Sequence, residues 1–341
     1  MVLLQDFVLE FYVRKTRPTK RYVESLIEVL ESQGLRLRID DEHAPFFGDL
    51  SRDTHEKRAK LSREDAIERV VEEGGGGFSF VHNEVAFWIR IYPQGWPGNR
   101  ERAKRLGESP DGEVALGSVA VEWPWVSDEQ ETRPRLQKTL ELGRVLYSAL
   151  KPIIGMGYLD EIDVTEASIL RDGPRQLFRI NFWGPEIAKR VDYSVLRDMP
   201  GIVIEGLPDG GVLIYVPPER LTGPDRVDLR KAEILLGFRG NVDVGVYSCL
   251  IDYFARRRQN DPDGLARELG FREDIIEKGK RAFDAAGRNP DTWLGLPQHD
   301  WEGYAEEIAR RVGEGQLIVD ARDEEQLSAI FRDFVRLYRS S

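Results

Sequence analysis

Cysteine and histidine are scarce in this chain of 341 residues, which contains one cysteine and four histidines. Because Cys249 has no second cysteine to pair with, the sequence excludes an internal disulfide and a zinc site built from several cysteines. None of the histidines has the His-Glu-x-x-His or His-x-His spacing that places two ligands on one metal ion. We therefore expect no structural metal and no bound cofactor.

Long apolar segments and excess positive charge are also missing. No uninterrupted apolar run approaches the roughly 20 residues that a membrane-spanning helix requires, and the first residues lack the apolar region of a secretory signal. The formal net charge of −11 opposes the phosphate contacts on which nucleic-acid binding depends. We expect a cytoplasmic protein that binds neither membranes nor nucleic acids and that attracts a basic partner.

The patterns of apolar residues predict an α+β fold with a mixed or mainly antiparallel sheet. Phe7 to Val13 is rich in aromatic and β-branched residues, which is typical of a strand. A helical stripe follows from Tyr22, with Thr19 as its N-cap, and a second long helix contains Leu140. We expect these two helices to cover the sheet.

Glycine-rich segments predict turns between the strands. Asp209-Gly210-Gly211 lies between two apolar β-branched runs, which is a strong hairpin pattern. Gly74 to Gly77 lacks the lysine and hydroxyl residues of a phosphate-binding loop and precedes a strand, so we interpret it as a flexible turn. Beyond Asp225 the sequence becomes mainly helical, apart from one short strand at Leu317 to Val319. We therefore predict two parts, an α+β sheet domain of residues 1–225 and a mainly helical subdomain of residues 226–341.

Carboxylates and imidazoles near the end of a predicted strand offer one candidate for catalysis. Asp40, Asp41 and His43 follow Ile39, and His82 and Glu84 are the only obvious partners from elsewhere in the chain. Oxygen and nitrogen ligands of these types suit a divalent metal, and the five residues would serve a metal-dependent hydrolase. Consecutive side chains point in different directions, however, so the alternative is a solvated acidic loop.

Aromatic side chains offer a candidate for protein binding. Trp123-Pro124-Trp125 places two indoles where a strand ends, and core packing readily accommodates one of them. Tryptophan is a favoured residue at the centre of protein interfaces. We predict that Trp123 and Trp125, together with the acidic residues Asp40, Asp41 and Glu42, contact a basic partner protein.

One segment resembles a known group of proteins. Ile180 to Ile187, followed by the Asp209-Gly210-Gly211 hairpin and Val212 to Ile214, is similar to the carboxy-terminal half of the immunity-protein-52-like families of bacterial polymorphic toxin systems. The resemblance covers residues 5–218. It implies a non-catalytic protein that binds and blocks a toxin, and it supplies no catalytic residues.

Three functions follow from these observations. The first is binding of a partner protein, with toxin neutralisation as its sharpest form. The alternatives are a metal-dependent hydrolase and a structural or scaffold protein that self-associates. The sequence leaves the oligomeric state open.

Overall fold

The computed structural model describes residues 6–38, 62–93, 116–125, 129–159, 169–170, 173–220, 227–268, 271–285, 298–320, 323, 325–330 and 332. The chain divides into two compact units, Met1–Leu229 and Arg230–Ser341. The described part of the first unit combines a sheet with helices. The described part of the second unit contains helices and no strand.

All the strands of the described chain join one antiparallel sheet. Their order across the sheet is β2-β3-β4-β5-β1-β6-β7-β9-β8. In chain order the strands are β1 (Asp6–Arg14), β2 (Arg36–Leu37), β3 (Gly76–His82), β4 (Val85–Tyr92), β5 (Leu116–Pro124), β6 (Ile154–Leu159), β7 (Ile180–Trp183), β8 (Val203–Gly206) and β9 (Val212–Tyr215).

The helices fall in both units. Those of the first unit are α1 (Lys20–Ser32), α2 (Arg63–Glu73), α3 (Glu129–Leu150) and α4 (Pro185–Ala188), with 3₁₀ turns at Tyr193–Leu196 and Pro218–Arg220. They are followed by α5 (Leu229–Leu235), α6 (Val244–Asn260), α7 (Pro262–Glu268), α8 (Glu273–Ala285) and α9 (Gln298–Gly313). Residues 325–330 are also helical.

The core of the first unit lies between α1, α2, α3 and one face of the sheet, which we call the helix face. Side chains alternate across a strand, so Phe7, Leu9 and Phe11 of β1 join this core whereas Glu10 and Tyr12 lie on the opposite, second face. Thr19 caps α1 as predicted, because its Oγ1 accepts a hydrogen bond from the Tyr22 amide at 3.2 Å. The predicted α+β class, with an antiparallel sheet and a helical carboxy-terminal region, is confirmed.

The second unit has a hydrophobic core of its own between α6 and α9. Tyr247, Leu250 and Phe254 of α6 and Ile308 of α9 are buried in it. The strand predicted at Leu317 to Val319 is wrong. Leu317 and Val319 pack against the helical core, but no described strand lies beside them to form a ladder, and Ile318 is 90% exposed.

The glycine run after α2 differs from the flexible turn that we predicted. Gly74 ends α2 with a φ of 76°, but Gly76 and Gly77 are buried and begin β3. A Cβ atom on Gly75 would overlap the Tyr92 ring and lie 2.9 Å from the Ile91 carbonyl oxygen. These glycines therefore allow close packing between strands, which a sequence pattern of repeated glycine does not distinguish from a loop.

Candidate functional site

The two predicted interface indoles form a stack with Phe7 of β1. The ring centroids of Phe7 and Trp123 are 5.3 Å apart, and those of Trp123 and Trp125 are 5.6 Å apart. Trp123 is fully buried, whereas Trp125 is partly exposed just beyond the end of β5. Arg179 lies over the Trp125 ring with its guanidinium carbon 5.8 Å from the ring centroid.

Trp123 is held firmly inside the first unit. Its Nε1–H donates a hydrogen bond to the Thr139 Oγ1 of α3 at 2.9 Å, and the Arg135 guanidinium lies 5.8 Å from its ring centroid. A ring with no exposed surface cannot contact a partner directly. Of the predicted pair, Trp125 is therefore the ring available to a partner. Trp123 packs against the buried side of the Trp125 ring.

The predicted acidic stretch lies outside the described residues. The described ranges are interrupted after Arg38 and resume at Ser62, and Asp40, Asp41, Glu42 and His43 lie in the interval between them.

The two other residues of the hydrolase alternative, His82 and Glu84, lie at the turn between β3 and β4. The His82 Nδ1–H donates to the Gly34 carbonyl oxygen at 3.0 Å, and its Nε2 accepts from the Asn83 side-chain amide at 3.3 Å. We assign this tautomer from the two partners. Asn83 and Glu84 have φ values of 47° and 66°, as a tight hairpin turn requires. Within the described residues, no group of three histidine, cysteine, aspartate or glutamate side chains converges as a metal site would.

The outer side of α1 and α2 is strongly acidic. The two helices pack side by side and together carry eight carboxylates and four basic side chains. We call these carboxylates the acidic helix surface: Glu24, Glu28, Glu31, Glu64, Asp65, Glu68, Glu72 and Glu73.

Three ion pairs between described residues belong to this acidic helix surface. Lys20 pairs with Glu68 at 3.2 Å and Arg63 pairs with Glu31 at 2.9 Å, so both bridges join one helix to the other. Arg69 pairs with Glu73 within α2 at 2.9 Å. The neighbouring carboxylates raise the pKa of Lys20, chiefly through its hydrogen bond to Glu68. The surface keeps a surplus of four negative charges after all its cations are counted.

A buried polar cluster lies on the second face of the sheet. Its centre is Glu10 of β1, whose residue surface is 1% exposed. The hydroxyls of Tyr158 and Tyr12 both donate hydrogen bonds to Glu10 Oε2, at 2.8 and 3.1 Å. The register places Ala120 directly between Glu10 and Arg90, and its methyl side chain leaves room for the two longer side chains.

Arg90 also forms an ion pair with Glu122 in this cluster. Burial raises the pKa of the Glu122 carboxyl to about 7, against the lowering effect of the Arg90 charge. The nearby carboxylates of Glu10 and Asp6 also raise it. A carboxyl with a pKa of about 7 changes its protonation state near neutral pH, so this cluster is sensitive to pH in that range.

The sequence contains a signal for the buried polar cluster, although none of the sequence predictions includes that cluster. Glu10 is a single charged residue within the apolar segment from Phe7 to Val13. A strand with one solvent-exposed face would instead show regular alternation of apolar and polar residues. Arg90 and Glu122 interrupt β4 and β5 in the same way. Isolated charges in three otherwise apolar strands indicate a buried ionic cluster only once the strand order is known.

Comparisons with known proteins give similarity to solved structures but not to a protein family or a curated protein. No protein-family model matches it, and no curated protein matches it significantly. Among solved structures, the chain is similar to the Pseudomonas aeruginosa T6SS protein PA0821, with 15% sequence identity and a TM-score of 0.36 over 68% of this chain and 74% of the other. Within the described residues, no helix is both long and apolar enough to cross a membrane.

Proposed function

We propose that this protein is a non-catalytic cytoplasmic protein that binds a basic partner protein, with toxin neutralisation by an immunity protein as the sharpest form of that function. The observation that carries the proposal is the acidic helix surface. Its surplus of four negative charges is concentrated on two adjacent helices. The formal net charge of −11 has the same sign.

Exposed charges of one sign change the rate of association more than they change the equilibrium affinity. They steer an oppositely charged partner towards the surface, and salt screens this attraction beyond about 10 Å at 0.1 M ionic strength. Glu28, Glu64 and Glu72 are exposed and suit this role. A partner with a basic face would therefore associate quickly at low salt and more slowly at high salt.

Aromatic anchoring completes the proposal. Trp125 is partly exposed and stacked on buried Trp123, so its orientation is already fixed before a partner arrives. Asp40, Asp41 and Glu42 add carboxylates to the same acidic protein, and we retain them as partner-binding residues. The resemblance of Ile180 to Ile187 to immunity-protein-52-like families supports a toxin as the partner.

The proposal is tested by capturing partners from the native host with the wild-type protein and two charge variants. The first variant, Glu28→Lys with Glu72→Lys, alters the acidic helix surface. The matched control, Glu277→Lys with Asp284→Lys, makes the same charge change at exposed positions of α8. We expect a basic protein that binds the wild type and the control and that is lost from the first variant. Recovery of acidic partners alone would overturn the proposal.

Toxin neutralisation needs a further measurement in cells. The captured partner, expressed alone, should arrest growth of the host, and expression of the wild-type protein should restore it. The Glu28→Lys and Glu72→Lys variant should restore growth less well than the α8 control. A partner that is harmless when expressed alone would exclude the toxin form and leave partner binding in place.

A further inference from the structure

A groove lies beside β8, the last strand in the order of the described sheet. It has a volume of about 370 Å³. Ile204, Gly206 and Val212 share one side of the β8–β9 hairpin, because Ile204 and Gly206 are two residues apart and Gly206 is paired with Val212. Tyr193 and Arg197, from the 3₁₀ turn and the residue after it, also line the groove, as does Ile202.

Two polar groups at this groove have no partner among the described residues. The exposed Arg197 guanidinium makes neither an ion pair nor a hydrogen bond with them, and the Tyr193 hydroxyl makes no hydrogen bond. The Tyr193 ring is held edge-on against Trp183, with the ring centroids 6.5 Å apart. The groove therefore combines an apolar surface with two available hydrogen-bond donors, one of them cationic.

The backbone of β8 offers a second binding element. Its inner edge pairs with β9, and no other described strand pairs with its outer edge. An outer strand exposes a row of amide and carbonyl groups that can pair with an added strand. β8 contains none of the lysine or proline residues that commonly block such pairing. Glu205, its one charged residue, is held by two-point pairing with Arg144 of α3 at 2.7 to 3.2 Å.

We propose that β8 and its groove bind an extended peptide segment of a partner protein by strand addition, with an apolar side chain in the groove and a carboxylate on Arg197. In this mode, main-chain hydrogen bonds give affinity and pockets for alternate side chains give selectivity. The unpaired Arg197 charge selects an acidic residue in the segment, since a guanidinium pairs with a carboxylate through two parallel hydrogen bonds. The inference rests on the proposed function, because the segment belongs to a partner protein.

Gly206 provides a variant that blocks the groove without disturbing the fold. A Cβ atom at this position would meet nothing within 4 Å, and its φ lies outside the left-handed region. Gly206→Trp should therefore fill the groove and leave the melting temperature close to that of the wild type. Arg197→Gln should remove the carboxylate contact alone. Lys189→Gln is a matched control, since Lys189 is an exposed cation that does not line the groove.

A displayed library of random nine-residue peptides tests the proposal directly. We expect wild-type protein to enrich extended sequences with alternating apolar residues and one aspartate or glutamate. Their affinity should fall about tenfold or more with Gly206→Trp. Arg197→Gln should weaken the acidic peptides but not their glutamine counterparts, and Lys189→Gln should weaken neither. Peptides that bind wild type and Gly206→Trp equally, or no enrichment at all, would overturn the proposal.

The same variants separate this inference from the proposed function. If Gly206→Trp captures the basic host partner as well as wild type does, while the Glu28→Lys and Glu72→Lys variant loses it, strand addition is wrong and partner binding stands. If the wild type captures no basic partner, the proposed function fails even where a library peptide binds β8. Protection of β8 amides from hydrogen exchange by a bound peptide would locate that peptide on the outer edge.

Discussion

The Tyr147 hydroxyl of α3 donates to the Asp209 carboxylate at the β8–β9 turn, with its oxygen 3.0 Å from each carboxylate oxygen. Asp209 Oδ1 also accepts a hydrogen bond from the Gly211 amide at 3.0 Å. Burial, followed by the hydrogen bond to Asp209, raises the pKa of the Tyr147 phenol. The hydroxyl therefore stays protonated and remains a donor at physiological pH.

We expect Gly211→Val to destabilise the protein by about 1 to 3 kcal/mol, through overpacking rather than through backbone strain. The positive φ of this turn belongs to Gly210, at 88°. A Cβ atom on Gly211 would overlap the Tyr147 hydroxyl and lie 2.7 Å from the Trp183 carbonyl oxygen. Urea denaturation of wild type and variant measures the difference in free energy of unfolding.

Gly210→Ala is the matched control for that prediction. A Cβ atom on Gly210 would meet nothing within 4 Å, so this variant reports the left-handed backbone penalty alone, about 1 to 2 kcal/mol. Tyr147→Phe removes the hydroxyl that a Gly211 side chain would meet and should offset part of the Gly211→Val cost. An unchanged unfolding midpoint for Gly211→Val would contradict this account of the turn.

The two indoles should respond differently to truncation. Trp123→Ala should cost about 3 to 5 kcal/mol of stability, because Trp123 is fully buried and its removal leaves a large cavity. Trp125→Ala should cost less stability, since this ring is partly exposed, and should speed dissociation of the partner. Thermal unfolding and surface plasmon resonance measure the two effects separately. Equal losses of stability in both variants would contradict the distinction.

Strand β6 shows where sequence patterns stop being sufficient for the fold. Two apolar β-branched runs and the glycine turn between them predicted the β8–β9 hairpin, because both signals are local. β6 was not predicted, since Gly155 and Gly157 resemble a loop. In the sheet, a Cβ atom on Gly155 would lie 2.5 Å from the Phe11 ring, and one on Gly157 would lie 2.8 Å from the Ile180 Cβ. Glycine is required at these two positions by the side chains of Phe11 and Ile180, which are distant in sequence, so a local pattern does not reveal the strand.

The same limit applies to the candidate sites. Trp125 and the acidic character of the protein were accessible from composition and from the position of the indole after a strand. The two rings stack on the same face, so the separation of buried Trp123 from partly exposed Trp125 depends on how far the cover provided by α3 extends along β5. The Arg197 groove and the Arg90–Glu122 pair depend on strand order, which no local pattern specifies.

Stability should decrease as pH rises from about 4.5 to about 7 because of Glu122. Its folded pKa is about 7 and its unfolded value is 4.5, so between these values the folded state holds a proton that the unfolded state has released. One pKa unit corresponds to about 1.4 kcal/mol, and the whole effect is at most about 3 to 4 kcal/mol. Other carboxylates also make the free energy of unfolding depend on pH. The contribution of Glu122 is therefore measured as the difference between wild type and a Glu122 variant.

Glu122→Gln isolates this contribution, because the amide resembles the protonated carboxyl. The difference in unfolding free energy between variant and wild type should shift in favour of the variant as pH rises from 5 to 7. Urea denaturation at half-unit steps of pH gives this difference. A difference that stays constant across the range would show that Glu122 keeps an ordinary pKa beside Arg90.

Metal chelation should leave the melting temperature unchanged. The prediction follows from the absence of paired ligand spacing in the sequence and from the engagement of both His82 ring nitrogens with Gly34 and Asn83. Thermal unfolding with and without a chelator checks it. Elemental analysis that finds a stoichiometric transition metal would contradict it and would favour the hydrolase alternative.

The acidic residues Asp40, Asp41 and Glu42 should act on the encounter with a basic partner. Changing all three to lysine should slow association and flatten its dependence on salt, because the variant loses negative charge that attracts the partner over a distance. The dissociation rate should change less, whereas Trp125→Ala should affect mainly dissociation. Stopped-flow association at several salt concentrations separates these effects. If the lysine variant associates at the wild-type rate and with the same salt dependence, Asp40, Asp41 and Glu42 do not steer the partner.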